Sequence, residues 1–192
     1  MSPENARTRL ENGNGRFVER RAAHPHQSPE RRKEISGGQH PFAAILTCSD
    51  SRVVPEILFD QGLGDLFVVR IAGNIVDDAV LDTMEYGAAH LDVPLIVVLG
   101  HTRCGAVAAA VSGASPPGHM RALHEALEPA VRAARDDAGD AIDNASRRNV
   151  ILQVERLRRA GTKLAELSEA RRLYIVGAMY DIETGAVDWL PD

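Results

Sequence analysis

Residues 42–52, FAAILTCSDSR, run an unbroken apolar stretch straight into a thiol, two hydroxyls, a carboxylate and a guanidinium. The apolar part reads as a strand covered on both faces in a parallel sheet. A loop that only had to turn would use Gly, Asn or Pro, so CSDSR carries chemistry. The arrangement recurs at 95–105, where LIVVLG runs into HTRCG. Two further runs, LFVVRIA (66–72) and RLYIVGAMY (172–180), complete four expected strands.

Helical patterns fill the intervals. Residues 3–20 read as an amphipathic helix with Leu10, Phe17 and Val18 on one side. Ile75, Ala79, Met84 and Ala88 recur at near-helical spacing in 75–91, 103–112 is Ala-rich, and 116–170 reads as two or three helices. HPHQSP is a Pro-punctuated link, and Arg31-Arg32-Lys33 reads as a solvated helix end. After the turn signal ETG, GAVDWLP predicts a short final strand antiparallel to 173–179. The expected fold is α/β: a mostly parallel sheet of about four strands plus a short antiparallel edge strand, with right-handed crossovers and helices on both faces. Pro116-Pro117 and Gly139 mark loops rather than boundaries, so residues 1–192 are expected to form a single domain with 1–35 as an N-terminal helical arm. The apolar side of 10–18 has no evident core partner, and the arm is expected to pack on a partner subunit.

The 192 residues are 44% hydrophobic and 26% charged, the composition of a globular chain that is neither disordered nor fibrous. A net charge of −5 argues against nucleic acid as the main partner. No stretch reaches the roughly 20 apolar residues of a membrane span, and the first residues lack the apolar core of a signal peptide. The cytoplasm is the expected compartment, where two cysteines stay free or bind metal.

Open parallel sheets bind ligands beyond the carboxyl ends of their strands. Cys48 and Cys104, the only two cysteines, both fall there. If the two strands are neighbours, Cys48, His101 and Cys104 converge. His101 and Cys104, three apart at the expected start of a helix, would share one face. Two thiolates and an imidazole are a ligand set for zinc, and three protein ligands leave a fourth position for water, as in catalytic sites. Asp50 is near enough to become the fourth ligand instead. A Cys48–Cys104 redox pair lacks the CxxC spacing; a Cys–His nucleophilic pair leaves the second thiol and Arg52 unused. His24, His26, His40, His90, His119 and His124 show no such convergence and read as surface or structural.

CSDSRV, DQGLGDLFVVRIAGN and MEYGAAHLDVPLIVVLGHTRCGAV together resemble the core of the β-class carbonic anhydrases, as do the later RRNVILQVERLRR and LYIVGAMYDIETGAV. The likeness runs from about residue 36 to the last residues, and CxDxR followed by HxxC is far more specific than either part. It implies a zinc enzyme interconverting carbon dioxide and bicarbonate plus a proton through hydroxide at the metal, with one zinc per chain on Cys48, His101 and Cys104. By the same resemblance Asp50 and Arg52 are the catalytic dyad, Asp50 being a metal ligand only in a closed state. Gln39, Phe67, Tyr86 and the backbone amide of Gly105 match substrate-binding positions of the plant-like branch, and Ala72 stands where that branch often has Val. A second branch carries Trp three residues before the first Cys, in an inhibitory bicarbonate site; Ile45 stands there, which argues that this chain lacks that site although Arg70 is present. In the family two subunits build each site, so a homodimer or a tetramer of dimers is implied.

Two thiolates cancel the formal charge of the ion, so water at this site should be acidified less than by three neutral histidines. Help is expected from Asp50, held ionised by Arg52 and aiming the nucleophile. Two rival readings keep the metal: hydrolysis of carbonyl sulfide or carbon disulfide, and a non-catalytic bicarbonate-binding scaffold, against which Asp50, Arg52 and Gln39 weigh.

Overall fold

The computed structural model describes residues 1–113, 118, 120–160 and 163–191; Pro116-Pro117 and His119 lie outside them. In chain order the elements are α1 (Pro3–Val18), α2 (Pro29–Glu34), β1 (Ala43–Thr47), α3 (Pro55–Leu58), β2 (Leu66–Arg70), α4 (Asp78–His90), β3 (Leu95–His101), α5 (Gly105–Val111), α6 (Met120–Ala133), α7 (Ala141–Arg158), α8 (Lys163–Glu169), β4 (Tyr174–Tyr180) and β5 (Val187–Trp189). Serine caps open α1 and α2: Ser2 and Ser28 accept N–H bonds from Asn5 and Arg31, each followed by proline in the first turn. The basic run 31–33 forms the last turn of α2, none of whose residues is buried.

The sheet order is β2-β1-β3-β4-β5, parallel except for β5, which runs antiparallel to β4. This is the expected α/β architecture. β2 stops at Arg70 rather than 72: the Ile71 N–H still bonds to Thr47 O of β1, but the chain then turns through a 3-10 segment at 72–74 with Gly73 at positive φ. β4 begins two residues later than the apolar run suggests, at Tyr174.

Every residue of β1 and β3 is buried, and successive side chains feed opposite layers, as the period of a strand requires. Ala44, Leu46, Ile96, Val98 and Ile175 pack against Met84 of α4, Val150 and Leu157 of α7 and Leu164 of α8. Ala43, Ile45, Leu95, Val97 and Leu99 pack against Ala6 and Leu10 of α1 and against Leu58 and Phe59. At about 25 cal/mol per Å² of apolar surface, each such leucine contributes roughly 2 kcal/mol.

The reason given for placing α1 on a partner subunit therefore needs correction. The first part of its apolar side is covered by this chain's own sheet, Ala6 and Leu10 being fully buried, while Phe17 is partly buried and Val18 stays 41% exposed. Two residues that an apolar pattern counts as outside permit the docking. Gly13 comes so close to the Phe59 carbonyl that a Cβ would sit 1.8 Å from its oxygen. Asn14 donates to Leu58 O (3.0 Å) and Gly185 O (2.8 Å) and accepts from Val187 N–H (3.0 Å). The missing core partner was the reason for placing the arm on a second subunit, and that reason does not hold.

A candidate metal centre and active site

β1 and β3 are neighbours with Thr47 opposite Leu99, and the Thr47 hydroxyl donates to Leu99 O at 2.9 Å. Their carboxyl ends bring Cys48 and His101 side by side, and the next turn returns Cys104. The two sulfurs and a ring nitrogen lie within 4.8 Å of one another, and all three residues are buried. The route differs from the expected one. His101 is the last residue of β3 and Cys104 precedes α5, so they do not share a helical face. Arg103, at φ 55°, makes the reversal between them.

That turn is braced from several sides. Thr102 N–H donates to Tyr180 O (3.0 Å), Ile182 N–H donates to the Thr102 hydroxyl (3.1 Å), and Arg103 N–H donates to Asp143 of α7 (2.8 Å). Arg103 also pairs with Glu183. On the Cys48 side, Arg70 of β2 donates to Cys48 O (3.3 Å) and Asp50 O (2.6 Å), which fixes the CSDSR loop.

The donor set fits a metal. The His101 Nδ1–H bonds to Thr102 O at 2.9 Å, which turns Nε2 toward the sulfurs, and buried Nε2 has no hydrogen-bond partner. Among the described residues this is the one His/Cys/Asp/Glu group close enough to hold an ion. The two thiols share a hydrogen bond. It pulls the Cys48 thiol far below its ordinary pKa against the effect of burial, with help from His101 and from the N–H groups of Gly73 and Asp50. The same bond, reinforced by burial, pushes Cys104 far up. Ionisation is thus favoured at Cys48 over Cys104, and a cation favours loss of both protons.

Asp50 stands at the edge of this group. Arg52 grips it bidentately, Nε to Oδ1 at 2.9 Å and Nη2 to Oδ2 at 2.7 Å, with Arg52 N–H adding a third bond to Oδ1 at 3.0 Å. These bonds hold the Asp50 carboxyl well below the usual carboxylate range, against its desolvation, with the Arg52 charge assisting. Its Oδ2 lies 4.0 Å from His101 Nε2. Arg52 reaches on to Arg103 O at 3.3 Å, so one guanidinium joins the two loops that carry the ligands.

The remaining expected residues divide in two. Ala72 lies half-buried in the 72–74 turn beside this centre, and Gly105 is the exposed first residue of α5. Gln39, Phe67 and Tyr86 lie elsewhere. Exposed Gln39 precedes β1, at the opposite end of that strand from Cys48. Phe67 pairs with Ala44, four residues and roughly 13 Å short of Cys48. Its ring is 6.2 Å from that of Tyr86, which is 48% exposed. These three do not reach the metal group of their own chain. Gly73 N–H, by contrast, donates to Cys48 Sγ at 3.3 Å, a contact that nothing in the sequence pattern announced.

A family profile described as carbonic anhydrase matches residues 43–187. The chain is similar to carbonic anhydrase 2 of Mycobacterium tuberculosis, with 44% identity over 180 residues covering 92% of this chain and 87% of that protein. Carbonic anhydrase of Mycolicibacterium smegmatis is 43% identical over 183 residues, 93% of this chain and 89% of that one. Among solved structures, a tetrameric β-carbonic anhydrase from Sordaria macrospora superposes with a TM-score of 0.79 at 27% identity over 98% of each chain. The β-carbonic anhydrase of Coccomyxa in complex with acetazolamide gives 0.74 at 28% identity, over 93% of this chain and 83% of that one. The profile spans both ligand-bearing strands and the Cys48–His101–Cys104 group lies inside it, so the chain belongs to the β class of the carbonic anhydrases.

Proposed function

We propose that this chain catalyses the zinc-dependent, reversible hydration of carbon dioxide to bicarbonate and a proton. The observation that carries the reading is a buried S2N donor group with an unpartnered His101 Nε2, flanked by an Arg-clamped carboxylate. Cys48, His101 and Cys104 would hold the ion, and zinc bound there supplies hydroxide near neutral pH by acidifying a water.

The chain's own residues do the rest. Asp50, kept ionised by Arg52, offers only acceptor atoms, so it takes a hydrogen bond from the O–H of the attacking oxygen and turns a lone pair toward carbon. Arg52 restrains the carboxylate from swinging to the metal as a fourth ligand. Gly105 opens α5, where backbone N–H groups lack helical partners, and its amide can meet an oxygen of the product. Gln39, Phe67 and Tyr86 are exposed or half-exposed and remote from their own centre. They serve a partner subunit's site, with Phe67 and Tyr86 forming an apolar wall for an uncharged gas. A homodimer, alone or doubled into a tetramer, is accordingly the smallest active unit, working in a reducing compartment where both thiols stay free.

Stopped-flow hydration, elemental analysis and sedimentation on the same preparation test this. Wild type should hold one zinc per chain, sediment as a dimer or larger and hydrate carbon dioxide, while Cys48→Ser, His101→Ala and Cys104→Ser should lose most of the metal. Full occupancy in all three variants, or a fully active monomer, would sink it. Parallel assays with carbonyl sulfide and carbon disulfide separate the gas substrates.

A further inference from the structure

The stretch RRNVILQVERLRR lies in α7, which places two amides where its neighbours are apolar. Asn149 is fully buried and Gln153 nearly so, among Ala145, Val150, Val154 and Leu157. Each buried amide needs partners, since one left unsatisfied costs about 1–3 kcal/mol. The partners form a line. Val76 N–H donates to Gln153 Oε1 (2.9 Å), Gln153 Nε2 donates to Asn149 Oδ1 (2.9 Å), and Asn149 Nδ2 donates to Gly73 O (2.7 Å). Gly73 N–H then donates to Cys48 Sγ (3.3 Å).

The direction of this line has no freedom. A main-chain N–H at Val76 can only donate, and a main-chain carbonyl at Gly73 can only accept, so both amides between them have a single allowed orientation. The three bonds from Val76 to Gly73 O are aligned head to tail and polarise one another; the Gly73 N–H belongs to the preceding peptide group, so the onward link to Cys48 is one of position. The same two side chains pin the loop at 73 and 76. Gly73 itself has no alternative: its φ is +66°, and a Cβ there would meet Leu127 at 3.2 Å.

We propose that Asn149 and Gln153 are positioning residues for the metal centre: acting through Gly73 they aim the N–H that Cys48 Sγ accepts, and so set the donor strength of that sulfur. The inference rests on the Cys48–His101–Cys104 reading of the site. An N–H bond to a thiolate draws electron density from sulfur; without it the sulfur is more electron-rich, which lowers the charge-transfer energy, and no longer held in line, which weakens the hold on the metal. Partners of this kind typically contribute a factor of roughly 10–100 in metal affinity.

The test uses the full-length protein loaded with cobalt(II), whose thiolate-to-metal absorption reports on sulfur directly, together with zinc affinity by chelator competition. Asn149→Leu and Gln153→Met, each near in size to the native side chain, should weaken zinc binding roughly 10- to 100-fold and shift the charge-transfer band to lower energy. Leu157→Ala, on the same helix but away from the site, should lower stability without moving the band. Wild type loaded with cadmium-113 should show coupling between the metal and the Gly73 amide proton through the hydrogen bond. This measurement decides the matter if neither amide variant folds. Variants with wild-type band and affinity, variants that merely behave like Leu157→Ala, or no coupling at Gly73 would each overturn the inference while leaving the metal site intact. A wild-type protein that takes up no metal would overturn both.

Discussion

Arg52 illustrates how much one side chain can hold. It closes a bidentate pair with Asp50 and touches Arg103 O, yet its own side chain is half exposed. At such exposure its Coulomb attraction alone is modest; its value lies in geometry. Arg52→Ala should retain zinc, since no ligand is touched, and lose about a hundredfold in kcat/KM, the upper range for removing a partner of this kind. Asp50→Asn should also retain zinc and lose activity, because an amide can present N–H where only an acceptor serves. Elemental analysis beside stopped-flow rates checks both; wild-type turnover in Arg52→Ala would reduce the pair to a loop brace. At this scale the sequence spoke clearly, since Cys48, Asp50, Arg52, His101 and Cys104 differ sharply from what a turn needs. It was silent on Gly73, Asn149 and Gln153, whose roles come from backbone geometry and burial. Their one signal was two amides at positions where α7 should be apolar.

Among the elements, β1 and β3 were legible because burial on both faces leaves an uninterrupted apolar run. α3 and the 3-10 segment at 72–74 were not, since neither runs much beyond a single helical turn and so neither repeats a period. The link between His101 and Cys104 was misread as helix because Arg103 adopts a left-handed turn that no apolar pattern records. α1 was legible as a helix but not as to where it docks, since Gly13 and Asn14 make the contact. Asn14→Leu should leave a main-chain N–H and two carbonyls without partners, costing about 2 kcal/mol or more. Urea unfolding should show the loss, with zinc content unchanged in the folded protein. A midpoint equal to wild type would show that α1 is held by its apolar face alone.

For the molecule as a whole, acid sensitivity follows from how the segment after α1 is fastened. Burial of Asp60 pushes its carboxyl up, but N–H bonds from Ala23 (2.9 Å) and His24 (2.8 Å) and the Arg16 guanidinium (2.6 Å) outweigh this, and the net shift is downward. A carboxyl with a lowered folded pKa adds stability that is complete above its unfolded value, about 3.9, and lost as pH falls through the folded value. Asp60→Asn should therefore cost about 2 kcal/mol at pH 7, and the gap to wild type should close in acid. Denaturation curves at pH 7 and pH 3 check the sign; a gap that widens in acid would contradict it.

The bonds of Asn14 also bear on the order in which the chain assembles. Residue 14 reaches Val187 across a separation of 173 residues, and Arg7 lies over the Trp189 ring at 4.6 Å. α1 is made before the groups that hold it, and these fall into two sets, an earlier one at 58–60 and a late one at 185–189. Contacts so distant along the chain carry a large loop-closure cost and come late. A nascent chain still short of Gly185 can seat α1 only through its contacts at 58–60 and with the earlier strands, and the bonds to Gly185 and Val187 are expected to close last.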